Sequence, residues 1–211
     1  IIIMEYCEND SLYDYIQKNN GFKKEQEKRE MFRTILKAFA YFHEEEIAHC
    51  DIKLENIPLD KNMNPKLCDF NLAIIYTKGL RRIRRGTPMC RAPEIIERKI
   101  IKDLTKIDIW SLAVTFYAAS ETYFPFNESE KPDPQKLSAK AKDSFLLLLL
   151  KKCFVLDPVH RIYAKKMLDD EYFMNPVFPC SLNSLEESQN ANIRNNRIAC
   201  NKYNNKNMKK A

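Results

Sequence analysis

The sequence predicts a mainly α-helical domain with a few short β-strands near its start, and three stretches carry that prediction. From Glu25 to about His43 the apolar residues Met31, Phe32, Ile35, Leu36, Phe39 and Phe42 recur at helical spacing, with Lys, Arg and Glu opposite. Ile107 to Glu121 is apolar nearly all round, the pattern of a central buried helix. Between Ile47 and Leu72 short β-branched pieces alternate with polar turns such as Asp60-Lys61-Asn62, which suits small hairpins and loops.

The remaining elements follow in chain order. Ile1 to Tyr6 is a β-rich apolar run, expected to be a strand that enters already buried. Ser11 to Lys18 starts a helix with Asp10 or Ser11 as N-cap. Ala139 to Phe154 is predicted as a helix, after which Asp157-Pro158 turns the chain into a last one from Ala164 to Tyr172. Beyond Pro179 asparagine crowds a segment ending in Lys209-Lys210. With few aliphatic anchors that segment cannot offset its ordering entropy. The expected organisation is a globular body over 1–179 and a disordered Asn/Lys-rich tail over 180–211.

Composition bounds the chemistry. The 211 residues make one domain of ordinary size or a domain with a tail, at 45% apolar and 30% charged residues. Only Gly21, Gly79 and Gly86 are glycines, where about fifteen would be usual. That excludes a Gly-rich phosphate cradle within this chain, and collagen-like or repeat architectures with it. The seven cysteines contain no C-x-x-C pair, so no zinc knuckle or redox motif is written. Reduced thiols predict a cytoplasmic or nuclear location. The longest apolar run, Phe145 to Leu150, is far too short to span a bilayer, and no signal peptide is visible. The sequence opens Ile1-Ile2-Ile3 without an initiator methionine, as though cut from something longer.

One constellation carries chemistry. Asp51 begins D-I-K-L-E-N, which places Lys53 two residues on and Asn56 five residues on, and Asp69 follows in C-D-F-N. A carboxylate to orient a hydroxyl, a lysine to neutralise phosphate charge, and an amide and a carboxylate to hold Mg²⁺ make a kit for phosphoryl transfer. Taken singly, an Asp near an Asn is usually a turn or cap residue. The histidines show no ligand spacing, so no structural metal is expected.

The order of these groups adds a resemblance. Met4-Glu5-Tyr6-Cys7 looks like a gatekeeper and hinge, and His49-Cys50-Asp51-Ile52-Lys53-Leu54-Glu55-Asn56 like a catalytic loop. Asp69-Phe70-Asn71 looks like a metal-binding motif, and Gly86-Thr87-Pro88-Met89-Cys90-Arg91-Ala92-Pro93-Glu94 like the substrate-facing end of an activation segment. Asp108-Ile109-Trp110-Ser111 matches a central helix, and Arg161 a late arginine that pairs with Glu94. Over residues 1 to about 175 the sequence thus resembles the C-terminal lobe of a eukaryotic protein kinase. Lys53 with Gly86-Thr87-Pro88 gives it the Ser/Thr flavour of the calcium/calmodulin-dependent and AMP-activated branches.

The resemblance implies the helical C-terminal lobe of the protein-kinase-like α+β fold, with the N-terminal lobe absent. It implies ATP and Mg²⁺ as cofactors and a protein substrate. Asp51 would accept or orient the substrate hydroxyl proton, Lys53 would meet the γ-phosphate, and Asn56 and Asp69 would bind Mg²⁺. Met4, Glu5, Cys7 and Pro58 would meet the nucleotide, the Cys7 backbone bonding adenine, while Thr87 belongs to the substrate loop. His49, Phe70, Glu94, Asp108 and Arg161 would be structural, His49 packing in a regulatory stack with Phe70.

Several residues depart from the family pattern. The Gly-rich loop, the strand-three lysine and its glutamate partner are absent, so the missing lobe in cis or a covering partner is expected over the site. Cys50 stands where many kinases carry arginine, and Ile83 where the phosphosite would be, so loop phosphorylation there is not expected to switch the protein. Asn71 replaces a glycine, where its tolerance of left-handed backbone would preserve the turn at some cost. Pro58 replaces a leucine under the adenine ring and removes a strand N–H. Cys90 replaces a tyrosine in the substrate loop, and Ala113 a glycine within a helix. Arg81, Arg82, Arg84 and Arg85 form a basic cluster, either a solvated charge run or a seat for an acidic partner.

Three functions compete on these grounds. The first is a protein serine/threonine kinase, and the second a pseudokinase or lobe-only scaffold without efficient catalysis. A third, a nucleic-acid or acidic-surface binder, draws on the +6 net charge. It lacks an aromatic platform, so nucleic acid is not expected as a partner, nor is a membrane.

Overall fold

A capping box sets the first helix. Ser11 Oγ accepts from the Asp14 N–H at 3.3 Å and the Asp14 carboxylate accepts from the Ser11 N–H at 3.1 Å, so α1 runs Leu12–Asn19. Left-handed Asn20 and Gly21 then end it, with φ of 55° and 102°. The computed structural model describes residues 3–75, 81–127, 131–139 and 143–174, all within the unit Ile1–Asn175. The Asn/Lys-rich segment 180–211 lies outside the described residues.

α2, Glu25–Glu44, buries Met31, Phe32, Ile35, Leu36 and Phe39 on one face. That face packs on α4, Thr105–Glu121, of which only Ser111 and Ser120 escape full burial. Phe32 stacks on Phe116 with centroids 4.1 Å apart, and truncating either ring would cost about 3–5 kcal/mol. α3, Pro93–Ile96, is a single turn leading toward α4. α5, Ser144–Cys153, meets α4, while α6, Ala164–Leu168, packs on α2. α7, Glu171–Met174, closes the described chain.

Four expectations need correction. Residues 3–6 are not a buried strand: Ile3 is 92% exposed and Tyr6 80%, and no described segment forms a ladder with them. The 47–72 region does not close on itself as hairpins alone. Its strand β1, Ile47–Ala48, pairs antiparallel with β2, Ile74–Ile75. α5 starts at Ser144 rather than Ala139, because Asp143 accepts from the Leu146 N–H at 2.9 Å and acts as its N-cap. The last predicted helix is broken into α6 and α7, because Asp170 accepts from the Tyr172 N–H at 3.0 Å and starts a new turn.

The prolines of the short ladders sit harmlessly. Ser11 lies opposite Pro58 and Leu59 opposite Pro65. The bonds come from flanking residues, Leu12 N–H to Ile57 O at 2.8 Å and Leu59 N–H to Asp10 O at 2.9 Å, so Pro58 occupies a non-hydrogen-bonded position. The N–H that proline lacks is not needed there. No helix among the described residues is long and apolar enough to cross a membrane.

Candidate active site

The chain leaves β1 into a corner that one buried carboxylate holds. Cys50 is left-handed, with φ of 66°, which costs a non-glycine residue about 1–2 kcal/mol. Asp108, in the first turn of α4, compensates: Oδ1 accepts from the Cys50 N–H at 2.9 Å and Oδ2 from the His49 N–H at 2.8 Å. Such bonds to a charged group contribute about 1.5–3 kcal/mol each. His43 Nε2 also reaches Asp108 Oδ2, at 3.1 Å. His49 accepts from the Asp51 N–H through Nδ1 at 3.3 Å, which leaves Nε2 to donate to the Cys68 carbonyl at 3.0 Å. With Nδ1 accepting, these two contacts place a ring proton on Nε2. Phe70 packs on that ring at 4.7 Å and on Phe42 at 5.3 Å.

Asp51, presented by this corner, is itself buried. Oδ1 accepts from both the N–H and the hydroxyl of Thr87, each at 2.8 Å. Oδ2 faces Lys53 Nζ at 3.6 Å and the Asn56 amide at 3.4 Å. A turn of 3-10 helix at Leu54–Asn56 folds Asn56 back, so its Nδ2 also donates to the Asp51 carbonyl at 2.9 Å. Thr87 comes this close only because Gly86 precedes it. A Cβ on Gly86, whose φ is 93°, would lie 2.7 Å from the Cys50 carbonyl oxygen. Arg91 Nε donates to the Gly86 carbonyl at 2.8 Å, and Ser111 Oγ to the Cys90 carbonyl at 2.8 Å, which ties the loop to α4.

Two thiols near this corner are packing groups. Burial, reinforced by the Asp108 charge, pushes the Cys50 thiol up to about 12, and burial likewise raises that of Cys90. Neither is a nucleophile at neutral pH.

Asp69 is arranged differently. It is exposed and left-handed, with φ of 62°, and Oδ1 accepts from Asn71 Nδ2 at 2.7 Å. The left-handed residue is therefore Asp69, and Asn71 lies in an ordinary 3-10 turn, Phe70–Leu72, where it needs no glycine-like freedom. The Cys68 N–H donates to the Asn56 carbonyl at 3.2 Å, which brings the Asp69 segment alongside Asn56. With the Asn56 Nδ2 engaged, its amide oxygen and the Asp69 carboxylate are the hard-oxygen donors that these two segments carry. Among the described residues no His, Cys, Asp or Glu cluster could enclose a metal without further ligands. A magnesium ion that completes its shell with water and substrate phosphates fits this donor set.

The expected nucleotide residues are more open to solvent than this core. Met4 is 75% exposed, Glu5 pairs with Lys66 at 3.2 Å, and Cys7 and Pro58 are half-buried. Glu94 and Arg161 form a fully buried bidentate pair, at 2.8 and 3.0 Å. Arg161 also bonds the carbonyls of Val155 and Lys106 and lies over Trp110. Desolvation lowers the neighbouring Lys106 to about 8, with its Nζ over the Tyr163 ring.

Sequence reasoning named Gly86, Arg91 and Ser111 only as members of motifs and did not find the contacts they make, and it gave His43 no part in the site.

The protein kinase domain family matches residues 1–173. A carbon catabolite-derepressing protein kinase of Candida glabrata is 33% identical over 186 residues, covering 82% of this chain and 29% of that protein. A sucrose non-fermenting protein kinase of Fusarium virguliforme is 34% identical over 188 residues, covering 84% and 26%. A serine/threonine protein kinase of Oryza sativa subsp. japonica is 32% identical over 185 residues, covering 82% and 35%. The chain thus spans about a third or less of the length of these curated relatives, 26% to 35%.

Proposed function

This chain belongs to the eukaryotic serine/threonine protein kinase family, and from that premise we propose that it supplies the catalytic floor, the C-terminal lobe, of a kinase that transfers the γ-phosphoryl group of ATP to serine or threonine hydroxyls of proteins. The observation that carries the proposal is the state of Asp51. Thr87 occupies one carboxylate oxygen, which leaves the other, beside Lys53, to receive a hydroxyl proton.

In this proposal Asp51 orients the acceptor hydroxyl and takes its proton, and Lys53 neutralises charge on the transferring group. Asn56 and Asp69 hold magnesium, whose role when bound is to neutralise phosphate charge. The protein's contribution is positioning and electrostatics, both built into the Asp108-held corner. Met4 to Cys7 and Pro58 form the adenine edge, covered by a further lobe of a longer protein or by a partner.

A specific observation favours a second reading. Ile3, Met4 and Tyr6 are exposed, an apolar stretch that also suits a scaffold or pseudokinase that binds a partner without turnover. Transfer from labelled ATP to a Ser/Thr peptide by the full-length protein separates the two. Under the kinase proposal Asp51→Asn lowers kcat by about 10²–10⁴-fold while the fold is retained. Wild-type protein with no Mg²⁺-dependent transfer, or a variant as active as wild type, contradicts it.

A further inference from the structure

The Arg81–Arg85 segment is not a loose charge run. Arg81 and Ile101 exchange both backbone bonds, at 3.0 and 2.8 Å, which pins its start. Ile83 turns inward and packs against the core. Arg85 Nη1 reaches the Leu72 carbonyl at 3.4 Å, and Gly86-Thr87 then locks onto Asp51. Between these anchors Arg81, Arg82, Arg84 and Arg85 are all exposed, lining an open groove with Ala73, Ile74 and Ile75.

These guanidinium groups have no ion-pair partner among the described residues, whereas Arg29 and Arg161 each have a carboxylate. The acidic side chain closest in sequence to the Ile101 anchor on its N-terminal side, Glu97, is taken by Lys99 and Lys131. Four like charges held side by side create a strongly positive local potential. Arg84 is three residues from Thr87, no more than about 11 Å along the backbone, and Thr87 touches Asp51.

We propose that Arg81, Arg82, Arg84 and Arg85 form a specificity surface that selects protein substrates with acidic or phosphorylated side chains within about three residues of the acceptor hydroxyl. The inference rests on the kinase reading for what it calls a substrate, but peptide binding tests it without catalysis. Exposed pairs are individually weak, so discrimination comes from two or three together, about tenfold in affinity at low salt. Screening removes most of it at high ionic strength. Phosphate accepts bidentate arginine contacts and gains more than a carboxylate if the forks engage directly.

The test uses the full-length protein and fluorescent peptides that differ only in Asp, phosphoserine, Ala or Lys around one serine, with affinity read by anisotropy and transfer read in parallel. The expected result is about tenfold tighter binding of the Asp and phosphoserine peptides than of the Ala peptide at 50 mM salt, largely lost at 500 mM. Arg82→Glu/Arg84→Glu abolishes the preference and favours the Lys peptide, while Arg82→Lys/Arg84→Lys retains most of the Asp preference and guards against misfolding. Equal gains for Asp and phosphoserine identify a field effect and a larger phosphoserine gain identifies bidentate contact; both uphold the assignment. Transfer without charge preference, or with preference for Lys, overturns the inference and leaves the kinase reading standing. Arginine-dependent binding of acidic peptides without transfer upholds the surface and defeats the kinase reading.

Discussion

Asp51 and Asp69 stand at two sides of one site, and the protein holds them by opposite means. Asp51 is buried beneath Thr87, Asn56 and Lys53, on a corner whose amides are bonded to Asp108. Asp69 is exposed, and its carboxylate accepts from the side chain of Asn71, two positions on. The difference teaches how labour is divided. Under the proposed function, the carboxylate that would meet a hydroxyl is oriented by the fold before any ligand arrives. The one that would hold a metal is left exposed, so that ligand and metal would complete its geometry.

The largest effect that would break this contrast is on stability. Asp108→Ala strands the His49 and Cys50 amides in the interior, and the expected loss is about 3–5 kcal/mol in a denaturant titration. Asp69→Ala removes only an exposed bond and should stay within about 0.5 kcal/mol. Comparable losses for the two variants would erase the distinction.

Glycine substitutions sharpen the same contrast at smaller magnitude. Gly86→Ala meets both a positive φ and the Cys50 carbonyl, for an expected loss of about 2–3 kcal/mol. Gly21→Ala meets the positive φ but only an ordinary contact, 3.5 Å from a Thr122 methyl, for about 1–2 kcal/mol. Thermal melts of the two variants isolate the price of seating Thr87 on Asp51. Equal losses would mean that the close approach carries no cost.

The smallest expected effect is on pH dependence. The folded Cys50 thiol is raised from 9.0 to about 12, so below pH 9 both states hold the proton and stability is unaffected. Above that the unfolded chain ionises first, binds fewer protons, and stability falls until the folded thiol also ionises. Relative to Cys50→Ala, wild type should lose about 1 kcal/mol between pH 8 and 10. The comparison is differential because Lys106, lowered to about 8, acts in the opposite sense: its unfolded form keeps a proton up to about 10.5, so its contribution rises with pH. A flat difference between the two proteins would show that the corner is wetter than its burial implies.

Local signals in the sequence carried the helices that have local causes. Ser11 and Asp14 mark the start of α1, and the spacing of Met31, Phe32, Ile35, Leu36 and Phe39 marks the buried face of α2. Legibility failed where the cause was distant or a single cap prevailed over periodicity. The Ile1–Tyr6 pattern suits a strand, but a strand needs a ladder. Asp143 and Asp170 redirected helix starts that hydrophobic spacing alone had run together. In the site, residue order named Asp51, Lys53, Asn56 and Asp69, but not how they are held. The Asp108 bonds to His49 and Cys50 join residues 59 and 58 positions apart, and the Gly86 approach to Cys50 depends on a backbone turn that no periodicity encodes. At Pro58 the missing strand N–H is one that its ladder position never uses, a placement that the sequence alone did not reveal.

Amide hydrogen exchange of the full-length protein, with and without magnesium and a non-hydrolysable ATP analogue, tests the division between the two carboxylates most directly. The amides of residues 49–51 are bonded to Asp108 and His49, so they should exchange slowly in free protein and change little on ligand addition. Residues 69–71 should exchange quickly and gain protection only with both ligands present. Rapid exchange at 49–51 that slows on ligand binding would contradict the account, because it would mean that the ligand, and not the fold, sets Asp51.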